Sequence, residues 1–373
     1  MTGLNDTRYA PASSYQSQHG PDSRVGPQLL ILGRNGDLVK TGLKQTAKVW
    51  RTILASVFVS GFLPLFVYLA NAQQTNKVYR VGYLSLRSGI EAREEAFQKG
   101  LRELGYVEGQ NVIIEWRFAK GGIDRLRELA AEFVRLKVDV IVTPGTFATQ
   151  AAKQATTTIP IVIGNVTDGV QQGFVASLAK PGGNITGFST VSPELSGKRL
   201  EMLKETFPKI SRVSFVRNSA NLGTAAQFSG AEIAGRELGI KLQSLQLQPP
   251  YDFESAFRAA ADSRADALIV STAGFHTHRE RLVNLELKHR LPVMYSDQLF
   301  VLGGGLMSYS VDFSDELRRV AIYVDKILKG ASPANLPVQR PTKFELVINL
   351  KTARQIGVTI PPAVLMEADK VIK

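Results

Sequence analysis

The stretch Val138–Ala152, VDVIVTPGTFATQAA, decides the reading of this chain. Val138, Val140, Ile141 and Val142 form a short run of β-branched residues with one aspartate inside it, the composition of a strand covered on both faces. Thr143-Pro144-Gly145-Thr146 breaks the run, and Phe147 to Lys153 reads as a helix with Thr146 as its N-cap. In a parallel α/β sheet such a unit puts its turn at the carboxyl edge, where ligands sit. Amides and hydroxyls at a helix start attract anions such as a carboxylate. Alone, the unit is an ordinary βα turn; its weight comes from repetition.

Working outward, the same alternation continues on both sides. Upstream, Val78–Leu86 reads as a strand, Glu91–Leu104 as a helix with Ala96, Phe97 and Leu101 on one face, Asn111–Phe118 as a strand, and Asp124–Leu136 as a helix capped by Asp124. Downstream come a strand at Ile159–Val166, a short helix near Val170–Leu178, a hard turn at Pro181–Asn184 and a strand at Ile185–Thr190. The rhythm then restarts. Helices are predicted at Glu194–Phe207, Ala220–Leu238, Phe253–Ser263 and Thr277–Arg290, and strands at Arg212–Arg217, Ile240–Leu247, Ala265–Ser271 and Leu291–Tyr295. Leu306–Val311 reads as a crossing segment, Ser314–Leu328 as a helix capped by Ser314, Pro333–Pro341 as a connector and Phe344–Leu350 as an edge strand. Strands alternating with helices in two similar halves argue for an α/β protein with two doubly wound parallel sheets.

The chain of 373 residues is long enough for two compact bodies. It contains no cysteine, which excludes disulfides, thiolate metal sites and cysteine nucleophiles. The formal charge is +12, but the basic residues are scattered, without a dense run or aromatic interleaving, so a solvated basic surface is expected and no nucleic-acid partner. Residues 1–43 are rich in Gly, Ser, Asn, Gln and Pro without sustained periodicity, and read as a disordered tail or a start called too early. Residues 44–72 then combine Lys44, Lys48 and Arg51 with the uncharged, mostly apolar Ile53–Leu69 and the small residues of Ala70-Asn71-Ala72, the pattern of a signal peptide cleaved before Gln73. An uncleaved membrane anchor is the rival reading, and the apolar run is short for it.

Catalytic patterns are missing: there is no G-x-S-x-G, P-loop, dinucleotide fingerprint or H-E-x-x-H. His276 and His278 lack a partner set suited to a metal, and no cofactor is called for. Polar residues instead recur at successive strand ends. The candidate ligand-binding residues are Ser85, Ser88, Thr146, Thr167 and Asp168 in the first half and Asn218, Thr272 and Asp297 in the second, with Tyr309 on the crossing segment and Phe147 as an apolar wall. Tyr83 fits such a wall or a core position equally. Each polar residue alone is an ordinary cap or turn residue. Together they would line two facing lips, hydroxyls and helix-start amides taking a carboxylate and Asp168 or Asp297 an ammonium.

Certain segments resemble the ABC-transporter substrate-binding proteins of the tryptophan/tyrosine type. They are Pro181–Gly187 (PGGNITG), Lys198–Lys204 (KRLEMLK), Val324–Gly330 (VDKILKG) and, longest, Pro341–Pro362 (PTKFELVINLKTARQIGVTIPP). The likeness runs from about Val78 to Lys373. Two cleft positions depart from it, Gly169 after Thr167-Asp168 and Ser219 after Asn218, where the family has proline. The resemblance implies a type I periplasmic binding-protein fold with a multi-strand hinge: one lobe from residues 73–187 and 312–340, a second from 188–311, and 341–373 packing back on a lobe. It further implies a monomeric periplasmic receptor that closes on a small-molecule solute, an amino acid or related carboxylate, and delivers it to an ABC permease. An α/β enzyme of unknown reaction and a membrane-anchored ligand sensor are the alternatives.

Overall fold

The computed structural model describes residues 77–190, 192–221 and 223–373. The expectations for the tail 1–43, the segment 44–72 and a cleavage before Gln73 fall outside them. In chain order the elements are β1 (Tyr79–Ser85), α1 (Ala92–Glu103), β2 (Val112–Phe118), α2 (Ile123–Leu136), β3 (Val140–Pro144), α3 (Thr146–Ala155), β4 (Ile161–Thr167), β5 (Ile185–Thr190), α4 (Ser192–Thr206), β6 (Arg212–Asn218), α5 (Gly223–Leu238), β7 (Lys241–Leu247), α6 (Phe253–Asp262) and β8 (Ala267–Val270). They continue with a 3₁₀ turn (His276–His278), α7 (Arg279–His289), β9 (Val293–Tyr295), α8 (Gln298–Leu302), β10 (Met307–Val311), α9 (Phe313–Leu328), a second 3₁₀ turn (Pro333–Asn335), β11 (Phe344–Asn349), α10 (Leu350–Ile356), α11 (Pro362–Glu367) and β12 (Lys370–Ile372).

The strands form two sheets. The first has the order β2-β1-β3-β4-β5, all neighbours parallel. The second has the order β12-β11-β10-β9-β8-β6-β7, parallel except for the β10–β11 pair. Each sheet is covered on both faces, and the two-residue period of the strands shows it. Ile141 packs with Leu126, Phe133 and Ala148, while Val140 and Val142 point the other way, toward Phe97, Leu101, Leu317 and Val320. In the second sheet Ala267 and Ile269 face Leu200, Leu203 and Ala231, while Leu268 and Val270 face Phe253, Phe257 and Leu282. Each fully buried Leu or Phe contributes roughly 1.5–3 kcal/mol relative to exposure. The chain passes between the sheets after β5, after β10 and before β11, and α9 returns to pack on the first sheet.

Several local expectations need correction. Thr146 does not cap α3: Gly145 holds the cap position with φ of +107°, and Thr146 is the first helical residue. Asp124 is likewise inside α2, with Gly122 at the cap. The cap of α9 is Asp312, whose carboxylate accepts from the amides of Ser314 and Asp315, so Ser314 is capped rather than capping. Val170–Leu178 forms turns, not a helix; the backbone there is tied by the Gly173 amide to Val170 and the Phe174 amide to Gly169. β11 is not an edge strand, because β12 pairs with its outer side.

The turn PGGNITG at Pro181–Gly187 has a mechanical explanation. The Asn184 amide donates to the Ile159 carbonyl at 2.8 Å, and the Thr186 hydroxyl to the Leu336 carbonyl at 2.6 Å. Gly187 accepts from Gln339 at 2.8 Å, Ser189 donates to Gln339 at 3.0 Å, and the connector is thereby stitched to β5. Gly187 has φ of +131°, and a Cβ there would collide with the carbonyl oxygen of Ile163. Gly187→Ala is therefore expected to cost about 2 kcal/mol or more. Urea unfolding should show a lowered midpoint; an unchanged midpoint would refute this account of the turn.

Candidate ligand-binding cleft

In both sheets strand order reverses at the first strand, between β1 and β3 in one and β6 and β8 in the other. Each sheet therefore opens a crevice at the carboxyl ends of those strands. The two crevices face each other across a cavity of about 100 Å³. A single water needs roughly 10–15 Å³ of such space, so the cavity admits several waters or a solute of amino-acid size. Ser85 at the end of β1 with Leu86 and Arg87 beyond it, Pro144 to Phe147 around the β3–α3 turn, Asn165 and Thr167 of β4, and Phe313, Glu316 and Leu317 of α9 form one wall. Leu195 and Arg199 of α4, Asn221, Gln227 of α5, Thr272 to Gly274 and Ser296 form the other.

Many of these polar groups are already held in place. The Ser271 hydroxyl donates to Gln227 Oε1 at 2.7 Å. The Thr272 amide donates to Ser296 Oγ at 2.9 Å, and the two hydroxyls lie 2.9 Å apart. The Thr149 hydroxyl donates to the Gly145 carbonyl at 3.0 Å and lies 2.9 Å from that of Thr143, fixing the β3–α3 turn from below.

An ion pair closes the seam. Arg93 of α1, from the first lobe, places Nη2 2.9 Å and 3.1 Å from the two carboxylate oxygens of Asp297 in the second lobe. His276 Nε2 lies 2.9 Å from Asp297 Oδ2, and Asp297 also accepts from the Leu299 amide as the cap of α8. Burial alone would raise the Asp297 pKa, but Arg93, His276 and Arg87 outweigh it and hold the carboxyl well below its usual range. Burial lowers the His276 pKa against the pull of Asp297, favouring the neutral ring. The lobes also touch where Gly223 opens α5: a Cβ there would lie 2.6 Å from the Thr167 side chain.

Three charged groups remain with unused capacity. Arg87 pairs with Glu91 and, through Nε at 3.8 Å, with Glu94, but its buried Nε and Nη1 have no hydrogen-bond partner. Arg199 is buried, donates through Nε to the Tyr309 carbonyl at 2.7 Å, and makes no ion pair among the described residues. Desolvation lowers both guanidinium pKa values to about 10, leaving them charged at neutral pH. Glu316 is buried on α9, and neither carboxylate oxygen makes a hydrogen bond of good geometry. Burial pushes its pKa up to about 7, against the Asn165 amide and Arg93.

Of the residues singled out in the sequence, Ser85, Thr146, Phe147, Thr167, Thr272 and Asp297 line the cavity. The other four stand off it. Ser88 is exposed. Asp168, at φ of +41°, turns its carboxylate onto the Gln171 amide at 3.0 Å. Asn218 is buried, bonded to the Tyr251 hydroxyl and the Ala220 amide. The Tyr309 ring stacks on Phe344. Tyr83 is a core residue bonded to Glu94. Asp297 is at the seam, but Arg93 already neutralises it. Sequence reasoning missed Arg87, Arg93, Arg199 and Glu316, and considered His276 only as a metal ligand. Glu316 did leave a signal: it interrupts the apolar face Phe313, Leu317, Val320, Val324 of an amphipathic helix.

A two-lobed α/β body with a polar, charged cavity at the seam defines a solute-binding protein. The family model for ABC transporter substrate-binding proteins matches residues 86–372, and the chain belongs to that family. It is 26% identical over 269 residues to a tyrosine-binding protein of Clostridioides difficile, covering 72% of this chain and 77% of that one. A conserved domain protein from Vibrio cholerae superposes with a TM-score of 0.75 at 30% identity, over 79% of this chain and 100% of its own. An ABC domain from Streptococcus pneumonia solved in complex with L-Trp superposes with a TM-score of 0.74 at 26% identity, over the same shares. Type I periplasmic binding proteins share the fold, as the sequence had indicated.

Asp297→Asn keeps a good helix cap but leaves Arg93 buried without a counter-ion when the lobes meet. It is expected to weaken solute binding by about 10²-fold with little loss of thermal stability, measured by calorimetry and by unfolding; unchanged affinity would contradict the seam assignment. Gly223→Ala puts a methyl group into the Thr167 contact without straining α5. Affinity should fall while the melting temperature holds, and equal affinity would mean that this contact is not part of the bound state.

Proposed function

We propose that this protein is the periplasmic solute receptor of an ABC importer, and that its solute is an α-amino acid with an apolar or aromatic side chain. The single observation that carries the choice of solute is the charge balance of the cavity. Arg93 and Asp297 neutralise each other across the seam, while Arg87 and Arg199 retain guanidinium donors and Glu316 retains a carboxylate. A buried charge without a partner is costly, and a zwitterion supplies a carboxylate for Arg199 and an ammonium for Glu316 at once. Phe147, Phe313, Leu195 and Leu317 leave an apolar wall for the side chain. The tyrosine-binding relative and the L-Trp complex support the same solute class.

Binding would proceed by closure: contacts to both lobes favour the closed arrangement only when the solute bridges them. The loaded, closed monomer is the form the permease would receive, and binding without turnover is its whole task. Residues 44–72 would direct export. Among the described residues, no helix is long and apolar enough to cross a membrane.

Thermal unfolding against a panel of amino acids, sugars and nucleotides tests this reading. A true solute at 100 times its Kd should stabilise the protein by roughly 2.7 kcal/mol, a rise of several degrees. L-Tyrosine, L-tryptophan, L-phenylalanine or L-leucine is expected among the active compounds. Shifts confined to sugars or nucleotides would overturn it.

A further inference from the structure

Resting on that reading of the cleft, we propose that Glu316 is the residue that recognises the solute's ammonium group and so separates amino acids from their 2-hydroxy acid counterparts. The geometry carries the assignment. Glu316 projects from α9 against the middle of β4; a Cβ built on Gly164 would lie 3.5 Å from Oε1 and only 2.9 Å from Leu317. Glycine at 164 thus keeps room for Leu317 beside the carboxyl group, which itself packs in ordinary contact against β4. Both oxygens are buried and neither makes a hydrogen bond of good geometry, the Asn165 amide being a donor close enough to favour the charged form. A carboxyl group in that position is under-satisfied in either protonation state: the charged form has the Asn165 amide against several lone pairs, and the neutral form carries an O–H donor with no acceptor bonded to it. A purely structural role would favour leucine or glutamine on this helix face. An incoming R–NH₃⁺ supplies the donors that the site lacks, whereas a hydroxy acid brings a single neutral one and a keto acid none.

A proton linkage follows, with a definite sign. In the empty site Glu316 takes up its proton near pH 7, as burial dictates. An ammonium group stabilises the charged form, so capture below pH 7 must expel the proton and affinity must fall as pH falls. Other ionisable groups face the same space. Arg93, Arg319 and Asp315 act on Glu316 electrostatically, and Arg87, Arg199, Asp297 and His276 line the cavity. Arg87, Arg93 and Arg199 stay charged and Asp297 stays ionised throughout this range. His276, its pKa lowered by burial, is the competing titrating group, and the Gln variant at 316 distinguishes it.

The stability effect runs the opposite way. A carboxyl whose folded pKa lies above its unfolded value destabilises the fold progressively as pH rises between those values. Glu316→Gln should therefore leave the empty protein at least as stable as wild type at pH 8, which guards against misfolding as an explanation for lost binding.

The test is calorimetry on the full chain with L-phenylalanine and L-tryptophan against L-3-phenyllactate and indole-3-lactate. It is run between pH 6 and pH 8 in buffers of differing ionisation enthalpy. Wild type should prefer each amino acid by on the order of 10²-fold or more. It should gain about tenfold in affinity from pH 6 to pH 8 and release close to one proton at pH 6. Glu316→Gln should lose most of the preference, the pH dependence and the proton release together. If wild type binds no α-amino acid, the functional reading falls and this assignment with it. If wild type binds them but Glu316→Gln keeps preference and proton release, the assignment alone is overturned and His276 is the proton-linked group.

Discussion

A guanidinium from one lobe and a carboxylate from the other, both removed from water, set the terms for everything else at the cleft. Arg93 and Asp297 are each costly to bury alone, and they meet only when the lobes meet. The pair makes the seam conditional: it favours the closed arrangement, but closing also encloses Arg87, Arg199 and Glu316, whose capacity the protein does not itself fill. Closure is therefore incomplete as a physical solution until something with the complementary charges is inside. In this balance the ion pair supplies the geometry and the unsatisfied groups supply the demand for a guest.

The scaffold that carries this arrangement uses one topology twice. Each sheet reverses its strand order at its first strand, so each presents a crevice at the same relative place, and three passages of chain set the two crevices face to face. The stitching of Gly187, Ser189 and Thr186 to the connector keeps the passages together near the first sheet, while glycines at the rims, Gly223 and Gly274, let backbone from one lobe approach side chains of the other. Small residues at the seam thus decide how near the lobes can come.

Much of the scaffold was legible from periodicity. Strand runs such as Val138–Val142 and Ala265–Ser271 are β-branched or apolar on both faces, and amphipathic helices separate them, so the α/β class and both sheets followed directly. Helix starts were less legible, because capping depends on backbone angles that composition does not specify: Gly145 and Gly122 hold positions that Thr146 and Asp124 might have filled on side-chain chemistry alone. The cleft was half legible. Strand-end hydroxyls such as Ser85, Thr167 and Thr272 are placed by topology, and topology could be read. Arg93, Arg199 and Glu316 lie on helices, where a charged residue ordinarily marks a solvated face. Only three-dimensional packing shows that these faces point inward, although Glu316 amid Phe313, Leu317 and Val320 carried a trace of it. Asp168 and Asn218 have the right chemistry at strand ends, but both spend it on their own turns.

The most direct test of the account is the distance across the cleft mouth with and without solute. The chain has no cysteine, so spin labels can be placed at Asp124→Cys in the first lobe and Glu280→Cys in the second without background. Both positions are exposed and flank the place where Gly121 approaches Thr277. Pulsed electron resonance should give a broad or long distance distribution without solute and a narrow, short one with a bound amino acid, and the Asp297→Asn background should resist the shift. A distribution that solute leaves unchanged would contradict a seam closed by Arg93 and Asp297 around a guest.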